Sequence, residues 1–442
     1  MRLETVQHTV YKTFQHHVID RFSPGSTDHE IVQLIMDNGF HVASVACSTT
    51  DTWDAEWQDQ AKAGRMKLIR AGSEDILPGI AVGFNIGSGG REYVLMHMQN
   101  SGFSHAIDGL ISFVETYDLP AGALINLRGI DPRKEKSKPH LEIGKRTDSL
   151  VRTVTLDPES VFGYDDGIGF KRELQAGLDR VKSGKRAIIK HHPEAVRRTY
   201  PMPHLEPPQL DVQEFLRRME EIQETKGWRI ESVYARKAIP RIEAHRQIIE
   251  AHPNAIIVTG NGFDPRALYD HNHRETNIYE VGYMGGAGPI AFGMALANPY
   301  LTFISLEGDQ NTQQGNNILF NLAEHYPPNL YRYILNNGRG VSVGASNSLP
   351  LLLDNYRFGR TILTIPEQDG EFESKRLEEG LTKEYSSDDD ARAMVARIGP
   401  LPAHIRRVID VINQMTAREV NKLQSESRLT PSLETELRRH SL

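Results

Sequence analysis

A chain of 442 residues with a formal net charge of −7 is long enough for two or three domains with buried cores, and its acidic balance, with no Lys/Arg block, argues against a nucleic-acid binder. No apolar run is long enough to span a membrane and the opening MRLETVQHTVYKTF lacks a signal-peptide core, which points to a cytoplasmic protein with no membrane partner. The single cysteine, Cys47, excludes an intrachain disulfide framework and any multi-cysteine metal centre.

Up to about Asp37 the apolar residues fall at helical spacing: Val6, Val10, Phe14 and Val18, then Ile31, Leu34 and Ile35. HVASVACSTTD is an apolar strand that breaks into small polar residues. MKLIRAGSEDILPGIAVGFNIGSGG and REYVLMHMQNSGFSHAIDGLISFV each read as strand, small-residue turn and helix. DLPAGALINLRG adds a strand and turn, KPHLEIGKRTDSLVRTVTLD continues the pattern, and GFKRELQAGLDRVKSGKRAIIKHH gives a helix and a strand. This alternation predicts a parallel sheet flanked by helices in a first domain, residues 1–196. The proline-rich RRTYPMPHLEPPQLDV suits neither helix nor central strand. With the charged helix from Gln213 to Lys226 it makes a linker over 197–234. A second α/β domain, 235–415, holds a helix, the strand NAIIVTGNG, a helix from about Pro265, the glycine-rich VGYMGGAGPIAFGMALANP and a late strand, YRFGRTILTI. Residues 416–442 read as a polar tail, a surface helix with a frayed end.

Within the second domain, LTFISLEGD and LYRYILNNG are apolar strands that each run into a turn, and Ile318, Leu319, Leu322 and Ala323 lie at helical spacing between them. In a parallel sheet both strand ends reach the same edge, where ligands of open α/β sheets collect. Asp309 and Asn337 could then hold one hard cation through oxygen atoms, and the glycines around them let backbone N–H groups approach a phosphate.

That pairing resembles the metal and diphosphate motif of thiamine-diphosphate (ThDP) enzymes, in which Gly-Asp-Gly is followed by Asn-Asn or Asp-Asn a helix and a strand later. Here Gly308-Asp309 and Asn336-Asn337 carry it. Both halves are similar to the pyrimidine-binding and diphosphate-binding domains of ThDP-dependent 2-oxo acid decarboxylases, most of all the short phosphonopyruvate and sulfopyruvate decarboxylases. The stretches that carry the resemblance are SEDILPGIAVG, HMQNSGFSHAIDGL, LINLRG with KPHLEIGKRT, ASVACSTTD, VTGNGFDPRALY and VGYMGGAGPIAFGMALANP.

The resemblance implies two ThDP-binding-fold domains, with ThDP and Mg²⁺ as cofactors. It puts Glu74 on the glutamate that bonds a ring nitrogen of the aminopyrimidine, so that the ring can take the thiazolium proton. Asp309, Asn337 and the Arg339 carbonyl become metal ligands. Gly262, Gly282, Met284, Gly308, Gln310 and Asn311 become cofactor contacts, with the Gly282 carbonyl and Met284 N–H at the pyrimidine edge. Cys47, Ser48, Asn100, Ser101 and Arg128 become substrate-side residues. The implied reaction is decarboxylation of 3-phosphonopyruvate to phosphonoacetaldehyde in a phosphonate pathway. Sulfopyruvate decarboxylation, carboligation and a non-catalytic scaffold are the alternatives. Relatives build their sites between subunits, which implies a homodimer or homotetramer. The chain departs from the pattern at four places: Gln310 replaces the third glycine of the metal motif, Gly286 and Gly340 stand where a histidine is usual, and Asp264-Pro265 replaces a Thr-Ser pair facing the diphosphate.

Overall fold

Short runs of aliphatic and β-branched residues set the two large sheets among the described residues. A computed structural model describes residues 26–45, 51–133, 135, 137–155, 157–163, 169–192, 196–197, 199–200, 212–227, 237–280, 282–340, 346–364 and 401–426. The described residues group into two compact units. One lies within Met1–Arg70, Tyr93–Ile107 and Pro120–Glu206, the other within Ala71–Glu92, Asp108–Leu119 and Pro207–Leu442. The stretch before residue 26, expected to be helical, and the proline-rich stretch 201–211 lie outside the described residues.

In the first unit, strands β1 (Phe40–Val45), β2 (Leu68–Ala71), β3 (Tyr93–Gln99), β4 (Ala121–Asn126), β5 (Val161–Phe162) and β6 (Arg186–His191) form a six-stranded sheet in the order β2-β1-β3-β4-β6-β5. The β1–β3, β3–β4, β4–β6 and β5–β6 pairs are parallel. On one face Val42, Leu95, Leu124 and Ile189 pack against Ile31 and Ile35 of helix Asp28–Asp37, Trp53 and Trp57 of helix Asp51–Lys62, and Phe170 and Leu174 of helix Phe170–Lys182. Helix Asp28–Asp37 opens with a capping box between Thr27 and Glu30. Toward the carboxyl ends of the strands the same face turns polar. Ser44 pairs in register with His97, and Gln99, Asn126 and His191 lie side by side.

In the second unit, β7 (Ile256–Thr259), β8 (Ile278–Tyr279), β9 (Phe303–Gly308), β10 (Leu330–Asn336) and β11 (Arg360–Leu363) run in the order β8-β7-β9-β10-β11, with every neighbouring pair parallel. Ile257, Leu306, Tyr333 and Leu335 fill the core on one face. The other face carries helix Ala287–Ala297, which packs on helix Leu77–Gly87 from the first half of the sequence. All eleven residues of Leu77–Gly87 are buried. A helix that is apolar all round needs cover on every side, so segments 71–92 and 108–119 group with the second half of the chain and not with the strands that flank them in sequence.

The charged linker helix spans Val212–Lys226. Its last residue is tied to the second unit: Lys226 Nζ donates to the Leu330 carbonyl (2.9 Å) and sits 4.0 Å above the Tyr331 ring. A long helix, Leu401–Ser425, runs straight through the expected start of the polar tail at 416. Ile405, Val408 and Ile412 are buried, and Asn413 donates to the Gly89 carbonyl (3.1 Å). Among the described residues no helix is long and apolar enough to cross a membrane.

Candidate active site

Strand β7 connects to β8 on one side, while the chain returns to place β9 on the other side of β7. Such a reversal opens a crevice at the carboxyl ends of the two strands. Residues following β7 (Asn261, Gly262, Asp264) and at the end of β9 and just past it (Gly308, Asp309, Gln310) line a pocket there, joined by Asn337, Arg339 and Gly340 from beyond β10. Gly262 adopts φ +100, a conformation side chains rarely tolerate.

The predicted carboxylate and amide come together here. Asp309 is 4% exposed and begins helix Asp309–Gln314. Its Oδ1 accepts from the Gln310 N–H (2.8 Å) and its Oδ2 from the Gly338 N–H (2.9 Å), which ties the end of β9 to the turn after β10. Burial pushes its pKa up. Asn337 Oδ1 accepts from the Arg339 N–H (2.9 Å). Each of these side-chain oxygens has a second acceptor site. One carboxylate, one amide oxygen and a main-chain carbonyl are hard-cation donors. Among the described residues no cluster of three or more His, Cys, Asp or Glu side chains could hold a metal by itself. A cation here would complete its shell with oxygens from outside the protein, as Mg²⁺ does with phosphates and water, and the donor set fits that use.

The departures from the family pattern have structural counterparts. Asp264 is buried but not an isolated anion: it pairs with Arg241, and His245 Nε2 lies 3.2 Å from the same oxygen. Burial pushes its carboxyl up, but Arg241 and His245 outweigh that and hold it below the usual value. The Gln310 side chain occupies the space where a Cβ on Gly340 would stand. In the same way the Tyr283 ring fills the place of any side chain at Gly286, and its hydroxyl donates to the Asp75 carbonyl. Asn311 fits against Gly260, and with its amide turned so that the oxygen faces them it accepts the N–H groups of Asn261 and Gly285 (3.2 Å each), which joins the loops that shape the pocket.

Glu74 is 7% exposed at the start of the 3₁₀ turn Glu74–Ile76, just ahead of helix Leu77–Gly87. The neighbouring Asp75 carboxylate accepts from Asn317 Nδ2 (2.9 and 3.0 Å). Glu74, Gly282 and Met284 belong to the same compact unit as Asp309 but do not line the pocket described above. The Met284 side chain is 55% exposed, and its N–H, expected at a pyrimidine edge, donates to Asp108 Oδ2 (3.0 Å). The Gly282 N–H donates to Glu280 Oε1 (2.6 Å).

In the first unit, Asn100 is fully buried. Its Nδ2 donates to the Arg128 carbonyl (2.8 Å) and Thr147 Oγ1 (2.9 Å), and its Oδ1 accepts from the Arg128 N–H (3.1 Å). Asn100 therefore braces the ends of β3 and β4. Ser101 Oγ accepts from Gln99 Nε2 (2.6 Å), and Arg128 Nε donates to Glu135 Oε2 (2.9 Å). Cys47 and Ser48 lie outside the described residues.

Two residues in or near the site have little sequence signal. Arg241 lines the pocket, but its partner Asp264 is a helix and a strand away in sequence. Glu280 is buried beneath the 282–284 turn; burial foremost, with Asp108 nearby, pushes its pKa up to about 8. The one cue was an acidic residue set within the otherwise uncharged IYEVGYMGG.

Two mostly parallel α/β units, one with a carboxylate–amide pair at its topological switch point, define the architecture of ThDP-dependent enzymes. A 4-hydroxybenzoylformate decarboxylase of Rhodococcus jostii RHA1, described as ThDP-dependent, shares the fold at a TM-score of 0.55 and 11% identity, over 78% of this chain and 99% of that one. A Mycobacterium smegmatis protein assigned to the thiamin diphosphate-dependent enzymes does so at 0.52 and 11%, over 77% and 99%. No family model matches the sequence. Among curated proteins, the chain is 26% identical to a phosphonopyruvate decarboxylase of Streptomyces viridochromogenes over 58% of its length and 61% of the relative's. It is 33% identical to that of Streptomyces hygroscopicus over 25% and 27%. It thus spans less than two thirds of either Streptomyces protein. Against the sulfopyruvate decarboxylase subunit alpha of Methanococcus maripaludis it is 30% identical over 28% of its own length and 71% of the relative's. The chain belongs to the ThDP-dependent 2-oxo acid decarboxylase family that includes the phosphonopyruvate and sulfopyruvate decarboxylases.

Proposed function

We propose that the protein binds ThDP with Mg²⁺ and decarboxylates an anionic 2-oxo acid to the aldehyde, with 3-phosphonopyruvate going to phosphonoacetaldehyde as the leading substrate. The observation that carries this reading is that Asp309 and Asn337 line one pocket at the carboxyl ends of the strands, with Asp309 bonded to the N–H of Gly338, the residue after Asn337. Bound ThDP would supply the electron sink that lets a carboxyl group leave as CO₂. The protein's part is to bind, orient and handle protons. Asp309, the Asn337 side-chain oxygen and the Arg339 carbonyl would hold Mg²⁺, and the turns at Gly262 and Gly308 would offer close backbone approach to phosphate. Glu74 would hold a shared proton at its carboxylate. On the substrate side, Cys47, Ser48, Ser101 and Arg128 remain candidates, with Asn100 positioning Arg128 through both of its main-chain groups.

Sulfopyruvate is the nearest alternative substrate, supported by the Methanococcus relative. Carboligation has its own support: at Gly286 the Tyr283 ring leaves no room for a proton-donating side chain. An NMR product screen over anionic 2-oxo acids, with and without an aldehyde acceptor, separates the three. We also infer an assembly of at least two copies, as the family resemblance implies. Sedimentation that finds a fully active monomer at high dilution counts against it.

Calorimetry tests the core of the reading. ThDP binding should require Mg²⁺, and Asp309→Ala and Asn337→Ala should each abolish the metal-dependent part. Absence of binding at millimolar ThDP with Mg²⁺ overturns the reading in favour of a non-catalytic scaffold.

A further inference from the structure

A carboxylate facing a diphosphate opposes binding, yet Asp264 stands in the first turn of helix Phe263–Asn272, beside this pocket. The structure explains how the site tolerates it. Arg241 opens helix Arg241–Ala251 directly after Pro240, and one turn later the same helix presents His245. Both side chains converge on Asp264 Oδ1, with Arg241 donating through Nη1. Arg241 is 6% exposed, and what it borders is the pocket, together with Gly262, Gly308, Asp309 and Asn337. Its charge also reaches Asp309, where it works against the effect of burial.

A buried Arg–Asp pair contributes little to stability compared with apolar residues of similar volume, so structure alone gives weak reason for one here. A guanidinium is the side chain suited to phosphate: planar, always charged, and forked to match two oxygens. Asp264 and His245 fix its orientation before any ligand arrives, which removes an ordering cost from binding.

We propose that Arg241, oriented by Asp264 and His245, is an anion-recognising residue of this pocket that donates to phosphate oxygens of the bound diphosphate. The inference rests on the ThDP reading for the identity of the ligand, and its test has arms that do not. Binding of inorganic pyrophosphate with Mg²⁺, and separately of ThDP, is measured by calorimetry on wild type, D264N and the double variant R241Q/D264N. The double variant avoids stranding a buried carboxylate, and circular dichroism checks its fold.

D264N keeps the guanidinium and, through the amide oxygen, an acceptor that orients it, while it removes the opposing anion, so it should bind pyrophosphate at least as tightly as wild type. R241Q/D264N should bind both ligands about ten- to a hundredfold more weakly, the range of a lost charge-assisted hydrogen bond, with a shallower dependence on ionic strength. If the double variant does not fold, R241K is measured instead; it keeps the charge without the fork and should show a smaller loss in the same direction. A folded double variant that binds pyrophosphate within twofold of wild type overturns the proposal and leaves the pair as a strut between two helices. Arg241-dependent pyrophosphate binding without ThDP binding would instead sink the cofactor reading alone.

Discussion

Glu74 shows what a single residue can and cannot reveal at this site. A buried glutamate at a helix entry could simply complement the helix dipole, and only its context in SEDILPGIAVG raises it above that. Replacement by glutamine separates the two readings, because size and one hydrogen-bonding oxygen are kept while the capacity to accept a proton is lost. If Glu74 handles the proton, Glu74→Gln should leave ThDP affinity largely intact and slow turnover by about 100- to 10,000-fold, the range of general acid–base groups. Exchange of the thiazolium proton with deuterium, followed by NMR, reads this step without knowledge of the substrate. Exchange as fast as in wild type would reduce Glu74 to a helix-end carboxylate. Other residues become intelligible only in pairs. Gln310 with Gly340, and Tyr283 with Gly286, each set a large side chain into room left by a glycine. Read singly in the sequence, each looks like the loss of a family feature. No local pattern reveals that the two members of a pair share one volume.

At the scale of elements, the strand–helix–strand unit around Asp309 was legible because each part carries its own signal: apolar runs, glycine-bearing turns and a helical spacing that ends at Pro327-Pro328. The partners of helix Leu77–Gly87 were not. It is apolar on every side, so periodicity gives no direction to its packing, and its close partner Ala287–Ala297 lies in the other half of the sequence. The surface helix expected from 416 is the end of helix Leu401–Ser425, whose buried residues Ile405, Val408 and Ile412 all precede that point. Glycine sets how closely the two buried helices approach. A Cβ at Gly83 would run into the Ile290 carbonyl, one at Gly293 into the Ile80 carbonyl, and one at Gly87 would lie 2.5 Å from Met294 Cα. Backbone cannot swing aside as a side-chain tip can, so Gly83→Ala should force the helices apart. Its better intrinsic helix propensity, worth roughly 1 kcal/mol, works the other way, but overpacking against backbone costs about 1–3 kcal/mol or more. Chemical denaturation should show a net loss of stability. An Ala variant as stable as wild type would mean that the contact is not tight.

For the whole molecule, buried histidines and one buried glutamate respond to pH in opposite directions. In the first unit His97 and His191 lie under Trp53 and Trp57, with ring centroids 4.6 Å apart for Trp53–His191 and 5.0 Å for Trp57–His97. Burial, helped by Arg70, lowers His97 to about 3; burial, with His97 and His192 nearby, holds His191 well below its usual value. An unfolded chain protonates these imidazoles near pH 6.5 while the folded unit leaves them neutral. Their contribution is therefore complete above pH 6.5 and lost as pH falls below it, by about 1.4 kcal/mol per pH unit for each histidine. Glu280, in the second unit, acts in the opposite direction. Its raised pKa gives stability that is full below the unfolded value of 4.5 and lost as pH rises through about 8. Between pH 6.5 and 5 most carboxylates stay ionised, so acidification over that window should weaken the first unit through these two imidazoles; in the second unit burial likewise lowers His252, His273, His325 and His404, and Glu280 opposes their effect. Fluorescence of Trp53 and Trp57 during denaturant unfolding should move to lower midpoints from pH 7 to pH 5, and H97N/H191N should flatten that slope. An unchanged slope in the double variant would assign the acid sensitivity to other groups.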